Sequence, residues 1–145
     1  MHMTNKDDLR FSAKDSTLAK VLFSNEKYRV PRYQRSYEWD LDKTNDFWTD
    51  LYVSGSSFFI GSFVFNNETQ KEDGFINIID GQQRFLTITI LMAALRDVAK
   101  EVGLDKFADH VQTKCVCIQD LQMRDTVRVL CGDSMREFFE KWIQQ

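Results

Sequence analysis

Residues 75–95 read FINIIDGQQRFLTITILMAAL, in which a short β-branched run meets a long apolar run at a glycine, two glutamines and an arginine. The first run predicts a strand, and the apolar residues from Phe85 onward predict a buried helix. A helix that begins at this corner has free backbone N–H groups and the positive end of its dipole there, beside the guanidinium of Arg84. The corner therefore has the outline of a phosphate-binding site.

Composition and charge limit what kind of protein this is. The chain has 145 residues, of which 43% are hydrophobic, and this is enough for one core. A net charge of −3 gives no overall attraction to nucleic acid, so contacts with phosphates must come from a local cluster. Three cysteines and two histidines show no zinc-binding or disulfide spacing, which favours a reducing cytoplasm. No apolar run approaches the roughly 20 residues of a membrane span, the start lacks a signal-peptide pattern, and residues 1–3 are typical of a vector scar.

The spacing of apolar residues predicts an α+β fold, in which a small mixed sheet packs on the long central helix and further helices flank it. Helices are predicted from 12–15 to about 24, from 40–42 to 52, and over 85–102, 105–112 and 134–143. Strands are predicted at 28–30, 58–65, 75–79, 114–118 and 126–130. The strands at 58–65 and 75–79 are expected to form an antiparallel pair, and Gly103 is expected to end the long helix. Cys115 and Cys117 are expected to lie in one strand, at residues 114–118.

The polar side chains at the corner leave several roles open. Asp80 could hold a metal-bound water, cap the following helix or pair with an arginine. Gln82 and Gln83 stand where a helix start normally has Ser, Thr or Asp, and their amides are costly to bury without partners. Gly81 allows a backbone conformation that other residues resist. An ordinary capped corner explains the same spacing, because the glycine density of a Walker loop is missing.

A second motif, VPRYQRSYEW at residues 30–39, is rich in arginines and aromatic rings. Pro31 favours an extended backbone, which places Arg35 on the same side as Tyr33 and Tyr37. Arg35 would then stack on these rings and keep its guanidinium N–H groups free for a phosphate. The alternative is a loop whose rings cover the core and whose arginines are solvated.

Together the motifs resemble the N-terminal domain of GmrSD-type restriction endonucleases, a family within the ParB and sulfiredoxin-like superfamily. The first family signature, Ile/Val-Pro-x-Tyr-Gln-Arg-x-Tyr-x-Trp, is matched by residues 30–39 at every fixed position. The second, Phe-x-Gly in a strand, is matched by residues 59–61. The third, Asp-Gly-Gln-Gln-Arg with a threonine close behind, is matched by residues 80–84 and Thr87. The resemblance covers most of the chain.

The resemblance implies a bacterial defence system against phage, in which this domain binds and hydrolyses a nucleoside triphosphate to control a separate nuclease module. It implies a ParB-like nucleotide-binding core at residues 4–103, followed by a strand and helix extension at residues 104–145. The aromatic residues at the end of the last predicted helix favour a chain cut from a longer protein. An HNH nuclease needs histidines, and only His110 remains beside the vector-derived His2, so DNA cleavage is not expected here. The implied partners are DNA, with modified phage DNA as one candidate, and the missing nuclease module. A second copy of the chain is left open as a further partner.

The resemblance also implies which residues form the site and what they do. In ParB and sulfiredoxin relatives, the segment corresponding to residues 81–84 cradles nucleotide phosphates. In the implied mechanism two arginines neutralise the transferred phosphoryl group, a glutamine orients the attacking water, and Mg²⁺ near Asp80 bridges phosphate oxygens. The expected catalytic residues are Asp80, Gln82, Gln83 and Arg84, with Asp80 also the expected metal ligand. The expected nucleotide- and phosphate-binding residues are Arg32, Tyr33, Gln34, Arg35, Gly61, Gly81 and Thr87.

Two other functions use different surfaces. A nucleic-acid-binding module without nucleotide hydrolysis would use a basic patch on an otherwise acidic surface. An assembly platform would use the aromatic face of the last predicted helix, for which packing inside the domain is the simpler explanation. The patch would contain Arg29, Arg32, Arg35 and Arg84. The helix face contains Phe138, Phe139 and Trp142.

Overall fold

The computed structural model describes residues 12–32, 36–55, 58–119 and 125–145. Within these ranges the chain forms six α-helices, namely α1 (Leu18–Leu22), α2 (Leu41–Ser54), α3 (Gln70–Asp73), α4 (Gln82–Glu101), α5 (Asp105–Val111) and α6 (Asp133–Phe138). The same ranges contain six strands, namely β1 (Lys27–Arg29), β2 (Val64–Asn66), β3 (Phe75–Asp80), β4 (Cys117–Gln119), β5 (Asp125–Val127) and β6 (Val129–Leu130). π-Helical turns, Gln112–Val116 and Phe139–Ile143, extend α5 and α6. The predicted α+β class is confirmed.

A mixed sheet lies at the centre, and in the described residues it has four strands in the order β2–β3–β1–β6. Strand β1 pairs in parallel with β3 and with β6, and β2 pairs antiparallel with β3. The predicted antiparallel pair is therefore confirmed. Strand β2 is shorter than the predicted 58–65, because Gly61 has a φ of 101° and breaks the extended backbone. Strands β4 and β5 form a separate antiparallel pair.

Helix α4 is the predicted central helix. It begins at Gln82, three residues before the predicted start, and ends ahead of Gly103, whose φ of 79° suits a left-handed turn. Its buried side packs on the sheet, where the rings of Phe85 and Tyr28 lie 4.7 Å apart and Ile78 is fully buried. In the part of the chain that the structure describes, no helix combines the length and apolarity needed to span a membrane.

The last third of the chain differs from its prediction. Strand β4 starts only at Cys117, because the π-helical turn over Gln112–Val116 precedes it. The expectation that Cys115 and Cys117 lie in one strand is therefore wrong, and both thiols are buried. The three aromatic residues of the predicted last helix do not share one environment. Phe139 is 1% exposed, while Phe138 and Trp142 are 47% and 61% exposed.

Two buried arginines join this last third to the rest of the fold. The fully buried Arg128 donates to the backbone carbonyls at the end of α1 and to the carbonyl of Lys114. Burial lowers the pKa of Arg128. Arg96 of α4, which is 4% exposed, donates to the carbonyls of Ile143 and Gln145 at 2.9 and 2.8 Å. The two guanidinium groups therefore donate hydrogen bonds to backbone carbonyls that lie at the ends of helical segments and lack a partner in a helix or sheet.

Candidate phosphate-binding site

The candidate site is the corner at which β3 passes into α4 through Gly81. Gly81 has a φ of 89°, and a Cβ atom there would lie 2.5 Å from a ring carbon of Phe63. Both the left-handed backbone and the close ring require glycine. The Gly81 carbonyl accepts the first backbone hydrogen bond of the helix, from the N–H of Phe85 at 2.9 Å.

The first turn of α4 leaves backbone donors unpaired. No side chain of the described residues caps the helix, and the N–H groups of Gln82, Gln83 and Arg84 have no acceptor among those residues. A helix of 20 residues also carries about half a positive charge at this end. The feature that suits an anion at this corner is therefore made by the backbone.

Both glutamine side chains bond to backbone groups of the protein. Gln82 Nε2 donates to two carbonyls of β3 at 3.1 and 2.7 Å, so this side chain folds back on the strand. Gln83 accepts from the N–H of Glu38 at 2.7 Å and donates to the carbonyl of Ser36 at 2.9 Å. Both amides are thus hydrogen-bonded, and Gln83 connects α4 to the motif at residues 30–39.

Arg84 lies over the loop that contains Gly61. Its two terminal nitrogens donate to the carbonyls of Ile60 and Ser62 at 2.7 and 2.8 Å, and its guanidinium lies 5.0 Å from the centre of the Phe63 ring. A Cβ atom on Gly61 would lie 1.6 Å from Arg84 Nη1. We call this arrangement of Arg84 with the 60–62 backbone the Arg84 clasp. It explains why a glycine at position 61 accompanies the arginine of the corner.

Thr87, one turn into the helix, also contacts the motif at residues 30–39. Its hydroxyl donates to the carbonyl of Gln83 at 2.7 Å and hydrogen-bonds to the hydroxyl of Tyr37 at 2.9 Å. Thr87 is 4% exposed. Together with Gln83, it holds residues 36–38 against the start of α4.

Asp80 and Arg32 carry charges that no described residue neutralises. Both side chains are exposed, and neither has a hydrogen bond or ion pair with a described residue. Asp80 therefore neither caps α4 nor pairs with a described arginine. Of its three predicted roles, holding a metal-bound water stays a prediction.

Other predicted residues lie elsewhere or outside the described ranges. Tyr33, Gln34 and Arg35 fall outside the described residues, so their predicted place opposite the corner stays a prediction. Arg29 binds Asp73 at 2.6 Å, and the N–H of Phe75 together with Arg29 lowers the pKa of that carboxyl. The carboxylate of Asp73 thus balances the charge of Arg29.

Sequence analysis missed the role of Phe63. This ring covers Gly81 and stacks on the guanidinium of Arg84. The signal was present in the alternation of Phe59, Gly61, Phe63 and Phe65, which places these residues on one side of an extended segment. A glycine among three rings at that spacing indicates that another group of the protein or a ligand approaches the backbone closely there.

A family model described as the GmrSD restriction endonuclease, N-terminal domain, matches residues 19–145. The chain belongs to the GmrSD family. The matched range contains all three motifs and every residue of the corner. Membership assigns this GmrSD domain to a DNA restriction system, whose nuclease module lies elsewhere, and supports a role in phage defence. A search of curated proteins finds no match to the chain.

Proposed function

We propose that this GmrSD domain is the nucleotide-dependent sensor of its restriction system. It binds the phosphates of a nucleoside triphosphate at the start of α4, hydrolyses the nucleotide, and so controls the nuclease module on encounter with modified phage DNA. The observation that carries the proposal is the set of three N–H groups at residues 82–84 that have no acceptor among the described residues, at the positive end of a 20-residue helix. Converging backbone donors and a helix dipole suit a phosphate group.

Arginines of the motif at residues 30–39 supply the remaining positive charge in this proposal. A triphosphate carries several negative charges, more than one helix end balances. Gln83 and Thr87 hold residues 36–38 beside the helix start, and Arg35 directly precedes Ser36 in the chain. Arg32 is exposed and unpaired among the described residues, so its guanidinium is available to an anion.

The donor set at the corner fits Mg²⁺ only together with a nucleotide. In the described ranges, no three His, Cys, Asp or Glu side chains come together to hold a metal ion. Asp80 offers one free carboxylate, and Mg²⁺ in nucleotide sites is commonly held by one or two carboxylates plus the phosphates. The ion would neutralise charge on the phosphate oxygens, and Asp80 would hold it at the strand end.

Binding and turnover make different demands on Gln82, Gln83 and Arg84. Phosphate binding to the backbone N–H groups leaves their side-chain bonds intact. Catalysis as predicted from the sequence needs a glutamine amide for the water and a guanidinium for the phosphoryl group, and these groups now bond to backbone carbonyls or N–H groups. We therefore expect the isolated domain to bind nucleotide and to hydrolyse it slowly until a partner or DNA releases these side chains.

Calorimetry with GTP, CTP, UTP and ATP, with and without Mg²⁺, tests the proposal. We expect saturable binding of one or more nucleotides, strengthened by Mg²⁺. The Asp80→Asn variant should lose the effect of Mg²⁺ and keep metal-free binding, because its carboxylate is exposed and no described partner depends on it. Glu101→Gln is the matched control, since it removes one exposed charge at the other end of α4, about 28 Å away.

The proposal fails if no triphosphate binds, or if Glu101→Gln and Asp80→Asn change Mg²⁺-dependent binding equally. A parallel titration with short DNA duplexes separates it from the nucleic-acid-binding alternative, which predicts affinity that falls steeply with salt and ignores nucleotide. Of the arginines assigned to a basic patch, Arg29 and Arg84 already bind protein groups. The described residues therefore favour the nucleotide proposal.

A further inference from the structure

We propose that the ring of Phe59 is the surface on which the base of the bound nucleotide stacks. The inference rests on the proposed phosphate binding at the start of α4, and it adds the part of the site that holds the base. Phe59 belongs to the segment 58–63, which leads into β2. It is 78% exposed, more than any other phenylalanine in the described ranges.

The exposure of Phe59 is an exception within a segment that otherwise packs on the core. Its two neighbours, Phe58 and Ile60, both pack against the core cluster. Because consecutive side chains of an extended backbone point to opposite sides, this packing directs the Phe59 ring to solvent. No ring or cation of the described residues stacks on it. A large apolar side chain thus forgoes the roughly 1.5–3 kcal/mol that its burial would contribute.

A hydrogen bond places Phe59 close to the corner. The carbonyl of Ile60, the next residue, accepts from Arg84 Nη1 at 2.7 Å. Standard backbone dimensions then put the Cα atom of Phe59 within about 9 Å of that nitrogen. Arg84 belongs to the first turn of α4, whose N–H groups form the proposed phosphate site. Further along the segment, the ring of Phe63 lies against Gly81.

This separation suits the two ends of one nucleotide. In a nucleoside triphosphate, the ribose and the α-phosphate separate the base from the terminal phosphates, so base and phosphates need neighbouring subsites. The N–H groups of residues 82–84 would hold the phosphates, and Phe59 would hold the base beside them. One molecule therefore reaches both subsites.

The Arg84 clasp fixes the backbone that carries the ring. Arg84 binds the carbonyls of Ile60 and Ser62, on either side of Gly61, and the first of these carbonyls is adjacent to Phe59. A ring carried by a fixed backbone loses little conformational entropy when a ligand stacks on it. The clasp therefore connects the start of α4 with the proposed base subsite.

The chemistry of a phenyl ring selects a base as the ligand group. The ring has no hydrogen-bond donor for a phosphate and no charge, whereas every nucleobase has a π-face that stacks on an aromatic side chain. Stacking of this kind adds affinity without reading the hydrogen-bonding pattern of the base. Phe59 therefore contributes to the binding of whichever nucleotide the domain takes and does not choose among bases.

Calorimetry of the parent and Phe59→Ala, with GTP, CTP, UTP and ATP and with inorganic tripolyphosphate, tests the proposal. Tripolyphosphate has the phosphates but no base. We expect Phe59→Ala to bind each nucleotide of the parent about ten-fold or more weaker, and to bind tripolyphosphate as the parent does. Phe107→Ala is the matched control, since Phe107 is 46% exposed on α5, beyond the far end of α4, and this variant should bind as the parent does.

Two further substitutions separate stacking from simple apolar contact. Phe59→Tyr keeps a flat ring and should bind nucleotide as the parent does. Phe59→Leu keeps an apolar side chain without a ring and should weaken binding as Phe59→Ala does. In NMR spectra of the complexes, the ring should shift the signals of the base protons upfield in the parent and in Phe59→Tyr, and Phe59→Leu should lack this shift.

The outcomes distinguish this inference from the proposed function. Nucleotide binding by Phe59→Ala that is as tight as the parent's would overturn the base subsite and leave the phosphate site in place. Equal weakening of nucleotide and tripolyphosphate would show that the substitution acts on the phosphates, and base protons that do not move upfield in the parent complex would exclude stacking. If the parent binds no triphosphate, the proposed function fails and the base subsite fails with it.

Discussion

Replacing Gly61 by alanine tests the Arg84 clasp. Gly61 has a φ of 101°, at which a side chain is strained, and the new methyl group would lie 1.6 Å from Arg84 Nη1. The guanidinium must move, because it is the flexible partner, and it then loses its bonds to the carbonyls of Ile60 and Ser62. The substitution therefore combines backbone strain with loss of the clasp.

The magnitude follows from these two parts. Alanine in a sparsely populated backbone region costs about 1–3 kcal/mol. Two charge-assisted hydrogen bonds and one ring contact, partly exposed to solvent, contribute about 2 kcal/mol together. We expect Gly61→Ala to lower the free energy of unfolding by about 3–5 kcal/mol, a large share of the stability of a small domain.

A double-mutant cycle separates the two parts. With Arg84→Ala as the background, no guanidinium is displaced, so Gly61→Ala should cost only the strain of about 1–3 kcal/mol. The coupling energy between the two sites should be about 2 kcal/mol, measured by urea unfolding followed by circular dichroism. Gly103→Ala is the matched control, because Gly103 also has a positive φ, 79°, but open space around its Cβ position.

The reasoning is refuted if Gly61→Ala costs the same with arginine or alanine at position 84. In that case Arg84 does not lie against Gly61, and the glycine of the Phe-x-Gly motif needs another explanation. A Gly103→Ala cost as large as that of Gly61→Ala would likewise assign the whole effect to backbone strain.

Three further predictions concern other parts of the fold. Gln83→Leu removes both hydrogen bonds to residues 36–38, so it should lower the free energy of unfolding by about 1–2 kcal/mol. It should also speed hydrogen exchange at the Glu38 amide, and unchanged exchange would contradict the contact. Arg128→Met leaves buried carbonyls without a donor and should cost about 3–5 kcal/mol in urea unfolding, and a neutral effect would show that the buried cation is dispensable. Burial raises the pKa of Cys131 from 9.0 to about 12, so between these pH values the unfolded thiol ionises first and stability should fall as pH rises. Cys131→Ala should flatten this fall, and native Cys131 should resist iodoacetamide at pH 8 until urea is added.

The sequence by itself determined the elements that depend on local chemistry. The apolar pattern of residues 85–102 identified α4, and Asp40 caps α2 through the N–H of Lys43, as its position before the helix predicts. Gly81 and Gly103 adopt positive φ angles at the two ends of α4. These features were readable because helical period, capping and glycine conformation are set by residues within a few positions of one another.

The order of the motifs also identified the family, and with it a restriction system. Sequence reasoning placed Gln82, Gln83 and Arg84 at one corner, where the structure has them. It could not give their partners, because Arg84 bonds to carbonyls more than 20 positions away and Gln83 to groups more than 40 positions away. A side chain with several donors chooses among acceptors that only the packed fold brings within reach.

Only the tertiary structure decided which charges are buried and which are free. Arg96 and Arg128 look like surface residues in the sequence, yet both are buried against carbonyls from distant segments. Asp80 and the carboxylates of α2 have no such partners among the described residues. The physical reason is that desolvating a charge is unfavourable unless donors and acceptors meet in three dimensions, and linear spacing does not record that meeting.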